Sequence, residues 1–334
     1  MKKRARKRKR LKRMLLLFGG AAAFAALLAL FIVLIVRLSC HKPEPTNAVA
    51  TAAPSPYETA LPTETPTPVP TATAKPPITD DWYAARTDLL EQYVRAFGGL
   101  SDESEIRARV AGMAIDPAQK RVAFTFDDGP QDDLTDAVLD ICEQYNARVT
   151  FFIMGRHIVG HEPQLKRMLA LGCEIGNHTW DHADVETLTA EQMRQQIEDV
   201  NRTLFNVLGY RCHLFRPPYI RYGDKGSETR NTLIGILRDN EMAIVNHTRS
   251  SHDTYSTYSA DRIYERCVAE TDELGHGLHN SIILCHDKTE KTVEAFRRIV
   301  PTLQERGYQF VTVSELLYCS EDGFHVGWIY SKAD

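Results

Sequence analysis

VAFTFDDGP, residues 122–130, ends an apolar, strand-like run with two adjacent carboxylates and a Gly-Pro turn. Successive side chains of a strand point to opposite faces, so Asp127 and Asp128 can share one site only because the turn breaks that alternation. A metal ion would resolve their mutual repulsion, with one carboxylate as a ligand and the other hydrogen-bonded to a water at the metal. In isolation, however, Asp-Asp-Gly fits a solvated turn or a helix N-cap better.

Short apolar runs alternate with longer helical stretches after this turn. Strands are predicted at 121–126, 149–154, 173–176, 242–246, 281–285 and 309–313, and helices at 133–145, 163–171, 190–208, 261–274 and 293–306. This alternation of strands and helices is typical of repeated βα units in an α/β fold with a parallel sheet or barrel. In such folds the functional residues gather at the carboxyl ends of the strands, which is where Asp127 and Asp128 fall.

Two histidines follow the third predicted strand in EIGNHTWDH, residues 174–182. His178 and His182 are four residues apart, so on a helical turn both imidazoles project the same way and can share one metal ion. His157 and His161 have equal spacing but follow no strand-end carboxylate. We therefore do not expect a metal site at the second pair.

Two further sequences carry polar residues next to short apolar runs. FRPPY, residues 215–219, places an arginine before two prolines, and IILCHD, residues 282–287, ends a buried strand in a histidine. Alone, the first is typical of a rigid turn and the second of a structural histidine.

Together and in this order, TFDDGP (125–130), HTWDH (178–182), RPPY (216–219) and LCHD (284–287) resemble the polysaccharide deacetylases of the NodB-homology type, carbohydrate esterase family 4. The resemblance covers residues 119–319. It implies a distorted (β/α) barrel that binds one divalent metal ion, usually zinc. The implied ligands are Asp128, His178 and His182.

The resemblance also implies roles for the remaining motif residues. Asp127 would be the catalytic base, Arg216 its positioning partner and His286 the general acid. The backbone N–H of Tyr219 would stabilise the oxyanion, while Leu284 and Trp180 would line the substrate. For Trp180, packing in the core is an equally good interpretation.

Two segments depart from the pattern of the family. The arginine motif commonly continues with glycine, whereas Ile220 follows Tyr219 here. The family also tends to have a Trp- and Asp-rich motif near the fifth strand, but residues 246–255 read NHTRSSHDTY, without tryptophan. Asp253 is the only carboxylate of that segment and is a candidate to support His286. These changes leave the metal ligands untouched and bear on the choice of substrate.

The charge of the chain is unevenly distributed. The formal net charge is -4, yet ten basic residues lie within positions 1–13, and residues 80–334 carry 27 basic against 41 acidic side chains. Because nucleic-acid binding needs a clustered basic face, this balance excludes it for the folded part. The hydrophobic fraction of 43% excludes a disordered chain and a multi-span membrane protein.

The amino-terminal region predicts an anchor and a spacer. Residues 14–36 contain no charge and are long enough for one transmembrane helix, with 1–13 as a basic cytoplasmic segment by the positive-inside rule. A cleaved signal peptide is the alternative, although its apolar run is normally shorter. Residues 37–79 are rich in Pro and Thr and predict an extended, disordered stalk. A helical cap region at 80–118, the NodB-like domain at 119–319 and a tail at 320–334 complete the predicted organisation.

These features predict a metal-dependent N-deacetylase on the outer side of the cell membrane, with peptidoglycan as the substrate that the anchor and stalk favour. The first alternative keeps the catalysis but changes the bond, to O-acetyl esters of a polysaccharide such as acetylxylan. The second is a degenerate homologue that binds glycan without turnover, suggested by the altered 220–223 and 246–255 segments.

Overall fold

The computed structural model describes residues 115, 116, 118–320 and 323–332. Within them, nine strands form one sheet in the order β6-β7-β1-β2-β3-β4-β5-β9, and β8 pairs with β1. Every pair is parallel. The strands are β1 Lys120–Asp127, β2 Thr150–Ile153, β3 Glu174–Asn177, β4 Leu214–Phe215, β5 Ala243–Val245, β6 Arg249–Ser250, β7 Ser281–His286, β8 Tyr308–Phe310 and β9 Ile329–Tyr330.

Helices connect the strands, as parallel pairing requires. They are α1 Asp132–Tyr145, α2 Glu162–Ala170, α3 Ala190–Leu208, α4 Glu228–Asp239, α5 Ala260–Val268, α6 Glu290–Glu305 and α7 Val313–Tyr318. α3 has the predicted bounds because its ends are encoded locally. Thr189 and Gln192 form a capping box at its start, and Gly209 ends it in the left-handed conformation (φ 68°).

Aromatic side chains hold α6 against the sheet. Phe124 and Phe126 alternate with polar residues along β1, and the ring of Phe296 from α6 lies 5.6 Å from Phe124 and 5.0 Å from Phe126 between centroids. Phe310 of β8 stacks on Phe124 at 5.3 Å. All four side chains are buried. This packing fixes β1, the strand that leads into the paired carboxylates.

The sheet curls into an incompletely closed barrel. Within the described part of the chain, its terminal strands, β6 and β9, are not paired with each other along their length, but Lys332 forms an antiparallel bridge with Ser281 at the start of β7. The backbone N–H of Thr248 donates to the carbonyl of Ile282 (2.9 Å) on the same side. The prediction of an α/β fold with a curled parallel sheet is therefore confirmed.

The structure differs from the predicted elements in several places. Helix α5 ends at Val268 instead of residue 274, because the Asp272 carboxylate accepts the N–H groups of Leu274 (2.9 Å) and His276 (2.8 Å) and stabilises a turn. α4 and α7 were not predicted. The segment 320–334, expected as a tail outside the domain, contributes β9, which covers the free edge of β5.

The predicted cytoplasmic segment (1–13), transmembrane helix (14–36), stalk (37–79) and most of the cap region (80–118) lie outside the described residues. Within the described part, no helix combines the length and the apolar character needed to cross a membrane.

Candidate active site

The carboxyl ends of β7, β1 and β3 bring the motif residues to one edge of the sheet, with β2 between β1 and β3. Asp127 is the last residue of β1 and lies in register with His286 of β7 on one side and Phe152 of β2 on the other. His178 follows directly after β3, which pairs with β2. Residues that are distant in the sequence therefore meet at one place.

The backbone at Asp128 turns both carboxylates towards this edge. Asp128 has a φ of 75°, a left-handed conformation that is rare for residues other than glycine and interrupts the alternation of the strand. Gly129 follows where a side chain has no room, since a Cβ there would lie 2.5 Å from the Asp287 carboxylate. The predicted break after β1 thus begins at Asp128 itself.

Three side-chain atoms converge as the ligands of a metal ion would. Oδ1 of Asp128 lies 3.3 Å from Nε2 of His178 and 3.1 Å from Nε2 of His182. A tetrahedral zinc ion with bonds of about 2.0–2.1 Å would hold its ligand atoms about 3.3 Å apart. Among the described residues, nothing donates an aligned hydrogen bond to this buried oxygen. The donor set therefore fits a divalent cation.

The tautomer of His178 also fits. Its Nδ1 lies 2.7 Å from the carbonyl oxygen of Arg216. Because a carbonyl oxygen only accepts, Nδ1 must donate, which leaves the lone pair of Nε2 directed towards Asp128.

Lys288 is a site residue that the sequence did not reveal. Its Nζ donates to the other oxygen of Asp128, Oδ2, at 2.8 Å. Burial alone would raise the pKa of Asp128, but the neighbouring imidazoles of His178 and His182 and the ammonium of Lys288 hold it well below its usual range. Asp128 is therefore a carboxylate, the form that binds a cation.

Arg216 is buried and fixed from all sides. It donates from one terminal nitrogen to Oδ1 of Asp127 (2.8 Å) and Oγ1 of Thr125 (2.6 Å). Its other N–H groups donate to the carbonyls of Val245 and Asn246, both at 3.1 Å. The guanidinium also lies 4.1 Å from the ring centroid of Phe152. Asp127 is thereby held in one orientation.

Asp253 lies against His286. Its Oδ1 lies 2.9 Å from Nδ1 of the imidazole, and its Oδ2 accepts the backbone N–H of His286 at 2.6 Å. Thr292 donates to the same Oδ2 at 3.1 Å. Burial lowers the pKa of His286, but the hydrogen bond and charge of Asp253 outweigh burial and raise it above its usual value. The sequence offers Asp253 as a candidate partner of His286, and the structure brings the two together.

The turn after Arg216 is strained where the family commonly has glycine. Tyr219 has a φ of 59° and Ile220 a φ of 55°, so Ile220 takes the left-handed conformation that glycine would adopt freely. The exposed ring of Tyr219 packs edge-on against His182 at 4.7 Å between centroids. The altered residue therefore keeps a turn suited to glycine.

The two residues expected beside the substrate differ in placement. Leu284 lies two residues before His286 on the same face of β7 and is nearly buried. The ring of Trp180 packs against Gly155, where a Cβ would lie 2.4 Å from it. This contact with the core favours the packing interpretation of Trp180.

The second histidine pair is not arranged as a metal site. The ring centroids of His157 and His161 are 6.3 Å apart, and Nε2 of His161 lies 3.0 Å from the Asp132 carboxylate. Within the described residues, Asp128, His178 and His182 are the one group of three or more potential ligands that converges.

Comparison with known proteins agrees with this geometry. The sequence model of the family described as polysaccharide deacetylase matches residues 114–234. The chain is 33% identical over 202 residues to the peptidoglycan-N-acetylmuramic acid deacetylase PdaC of Bacillus subtilis, which covers 60% of this chain and 40% of that protein. It is 30% identical over 239 residues to a peptidoglycan-N-acetylglucosamine deacetylase of Bacillus cereus, covering 70% of this chain and 75% of the relative.

A solved structure gives the same fold. The family 4 acetyl xylan esterase of Clostridium thermocellum, in complex with a cobalt ion, superposes with a TM-score of 0.54 at 29% identity, covering 64% of this chain and 98% of the esterase. The chain spans only about 40% of the length of the Bacillus subtilis relative. It spans three quarters of the Bacillus cereus protein at 30% identity. From this match and the assembled motifs, the chain belongs to the polysaccharide deacetylase family.

Proposed function

We propose that the chain is a metal-dependent hydrolase that removes N-acetyl groups from a cell-envelope glycan, with peptidoglycan as its substrate. One observation carries the proposal. A buried carboxylate held by arginine, a three-ligand cation site and a histidine paired with a carboxylate all lie at one edge of the sheet. Amide hydrolysis needs these parts, namely a base, an electrophile and an acid.

Asp128, His178 and His182 would hold the cation, for which we propose zinc. When bound, the cation polarises the substrate carbonyl and lowers the pKa of water towards neutrality. The chain supplies two features for it: a carboxylate kept ionised beside two imidazoles, and a His178 whose Nε2 lone pair is free.

Asp127 is the proposed base, which takes a proton from the attacking water. Arg216 occupies Oδ1 of Asp127 at 2.8 Å, so the proton is accepted by Oδ2. That second oxygen lies 3.8 Å from Nε2 of His178, on the side of the cation site. The backbone N–H of Tyr219 is the proposed donor to the oxyanion, in a turn held by its left-handed conformation.

His286 is the proposed acid, which protonates the leaving nitrogen from Nε2 while Asp253 holds Nδ1. Asp253 raises the pKa of His286 and thus favours the imidazolium, the form that donates the proton. The carbon–nitrogen bond breaks as the nitrogen gains this proton, giving a free amino sugar and acetate.

Acetate release from purified peptidoglycan, with and without a chelator, tests the proposal directly. We expect release that stops on chelation, returns with zinc and is lost in Asp127→Asn. Absence of metal-dependent release from every acetylated glycan would refute the proposal. Release by wild type that is lost in Asp127→Asn would also dispose of a glycan-binding homologue without turnover.

O-acetyl esters are the second candidate substrate, favoured by the acetyl xylan esterase among the structural relatives. The same residues could cleave an ester, with His286 protonating an alkoxide oxygen in place of nitrogen. Specificity constants on acetylxylan and on an N-acetylglucosamine oligomer separate the two cases. We expect the N-acetyl substrate to have the higher value.

We also propose that residues 14–36 anchor the chain in the cytoplasmic membrane with the deacetylase domain on the wall side. The support is the charge-free run and the basic residues before it. Protease added to intact spheroplasts should remove the domain and spare the amino terminus. Protection of the domain in such cells would overturn this topology.

A further inference from the structure

We propose that His252, Tyr255 and Tyr258 form a stacking subsite for a second sugar ring, next to the ring that is deacetylated. We call these three side chains the aromatic surface. The inference rests on the proposed function and deepens it, because it names side chains of this chain that would bind the neighbouring sugar of the glycan.

The three rings pack against one another at interplanar angles of 36°, 62° and 86°, so the exposed ring of Tyr255 offers the face on which a sugar can stack. His252 lies 4.8 Å from Tyr255 and 5.5 Å from Tyr258 between ring centroids, and the two tyrosines are 5.7 Å apart. Tyr255 is 53% exposed, which is high for so large a ring. Tyrosine offers a flat, amphipathic face with little rotamer freedom to lose, and the C–H faces of a pyranose pack on such a face.

The aromatic surface lies on the sugar side of the bond to be broken. Asp253, between His252 and Tyr255, holds both the backbone N–H and Nδ1 of His286. Because His286 protonates the nitrogen that stays on the sugar, the sugar must lie on the His286 side and the acetyl group on the side of Asp128. A chain leaving the reacting ring on that side meets the aromatic surface.

The loop that carries these rings is built before any ligand arrives. Nζ of Lys291 donates to the carbonyls of Tyr255 (2.7 Å) and Tyr258 (3.2 Å). The guanidinium of Arg262 lies 4.4 Å from the ring centroid of Tyr258. His252 is held in the left-handed conformation, with a φ of 57°, and its Nδ1 lies 3.3 Å from the Tyr258 hydroxyl. A preformed surface loses little entropy on binding.

Kinetics on long and short substrates test the subsite. Acetate release by the full-length chain is measured on the N-acetylglucosamine pentamer and on the N-acetylglucosamine monomer, which has no second ring to stack, for wild type, Tyr255→Ala and Tyr255→Phe. For Tyr255→Ala we expect kcat/KM on the pentamer to fall about tenfold, mainly through KM, as loss of one stacking contact predicts. The value on the monomer should change less than twofold, and Tyr255→Phe should behave as wild type.

Phe205→Ala is the matched control. Phe205 is 49% exposed and lies under Arg211 (5.3 Å) near the carboxyl end of α3, so it is an arginine-stacked surface ring away from the catalytic edge. Phe205→Ala should leave kcat/KM unchanged on both substrates. Equal losses on pentamer and monomer, or no loss on either, in Tyr255→Ala would overturn the subsite.

Calorimetric binding of the pentamer separates this inference from the proposed function. If wild type releases no acetate from any glycan, the proposed function fails. Pentamer binding that weakens in Tyr255→Ala but not in Phe205→Ala would still support the subsite. Equal binding by all three proteins would refute it.

Discussion

Two buried carboxylates at opposite ends of the sheet are treated differently by their surroundings. Glu174, the first residue of β3, accepts hydrogen bonds from Oγ1 of Thr150 (3.0 Å) and from the backbone N–H and hydroxyl of Ser314. Asp128, just beyond β1, gives one oxygen to Lys288 and turns the other towards two imidazole nitrogens. The chain satisfies the first carboxylate itself and leaves the second for a cation.

The pKa values of the two groups move in opposite directions for this reason. Burial raises the pKa of Glu174 to about 7, because neutral hydroxyl and amide donors offset only part of the desolvation. At Asp128 the imidazoles and an ammonium overcome the same burial and lower the pKa. We infer that Glu174 serves stability, by tying β3 to the start of α7, whereas Asp128 serves chemistry.

Asp128→Ala should have the largest effect on activity. Loss of a cation ligand removes several kcal/mol of transition-state stabilisation, so acetate release should fall by about 10³-fold or more. Bound metal, measured by elemental analysis, should be lost as well. The melting temperature should fall modestly, because the variant loses the ion pair with Lys288 and the stabilisation that a bound cation gives to the folded state. Activity within tenfold of wild type would contradict the assignment of this residue.

Glu174→Ala should lower the stability of the protein and leave its activity nearly unchanged. Three donor groups of Thr150 and Ser314 lose their acceptor and a cavity opens, so we expect the free energy of unfolding to fall by about 2–4 kcal/mol. kcat should remain within about twofold of wild type at a temperature where the variant is folded. Glu305→Ala, at an exposed position at the end of α6, is the control for loss of a glutamate. A variant with full stability and low kcat would place Glu174 in the catalytic machinery.

Asp253→Asn tests a third carboxylate. Asp253 lies at the same end of the sheet as Asp128, but its carboxylate binds His286 and Thr292 and is not a candidate metal ligand. The asparagine keeps the shape but loses the charge that raises the pKa of His286. We expect kcat to fall about 10–100-fold. His286 must be protonated to act as the acid, so the basic limb of the pH–kcat profile should move to lower pH. An unchanged basic limb would show that His286 does not set it.

The sequence predicted the end of the sheet that carries Asp128 better than the opposite end. Asp127, Asp128, His178 and His182 lie in short motifs beside strands with clear apolar runs, and α3 carries both of its caps in its own sequence. Strands β4, β6 and β9 have two residues each, which is too short for a pattern. Their existence depends on partners elsewhere in the chain.

Contacts over long sequence distances explain the rest. Lys288 meets Asp128 across 160 positions and Glu174 meets Ser314 across 140, and no local pattern records either pair. Asp253 was named as a candidate partner of His286, but its loop has no period that could place it. The partners of these charged residues outside the motifs can therefore be identified only from the folded structure.

Glu174→Gln has the smallest expected effect, and it tests directly whether the pKa values of Glu174 and Asp128 differ as described. Because the folded pKa of Glu174, about 7, lies above the ordinary 4.5, the folded state binds the proton more tightly than the unfolded chain. The contribution of Glu174 to stability is therefore lost as the pH rises from about 4.5 to about 7, and this contribution is constant above that range.

The side-chain amide introduced by Glu174→Gln cannot ionise, so the variant should lack this loss. Between pH 5 and pH 8 we expect its unfolding free energy to change less than that of wild type, by on the order of 1–2 kcal/mol. Asp287, whose pKa burial also raises to about 7, titrates in both proteins and cancels in the difference. Urea unfolding of both proteins at pH 5 and pH 8 measures this difference in unfolding free energy. Parallel pH dependence in the two proteins would mean that Glu174 is ionised throughout, like Asp128, and that the two ends of the sheet do not differ in this respect.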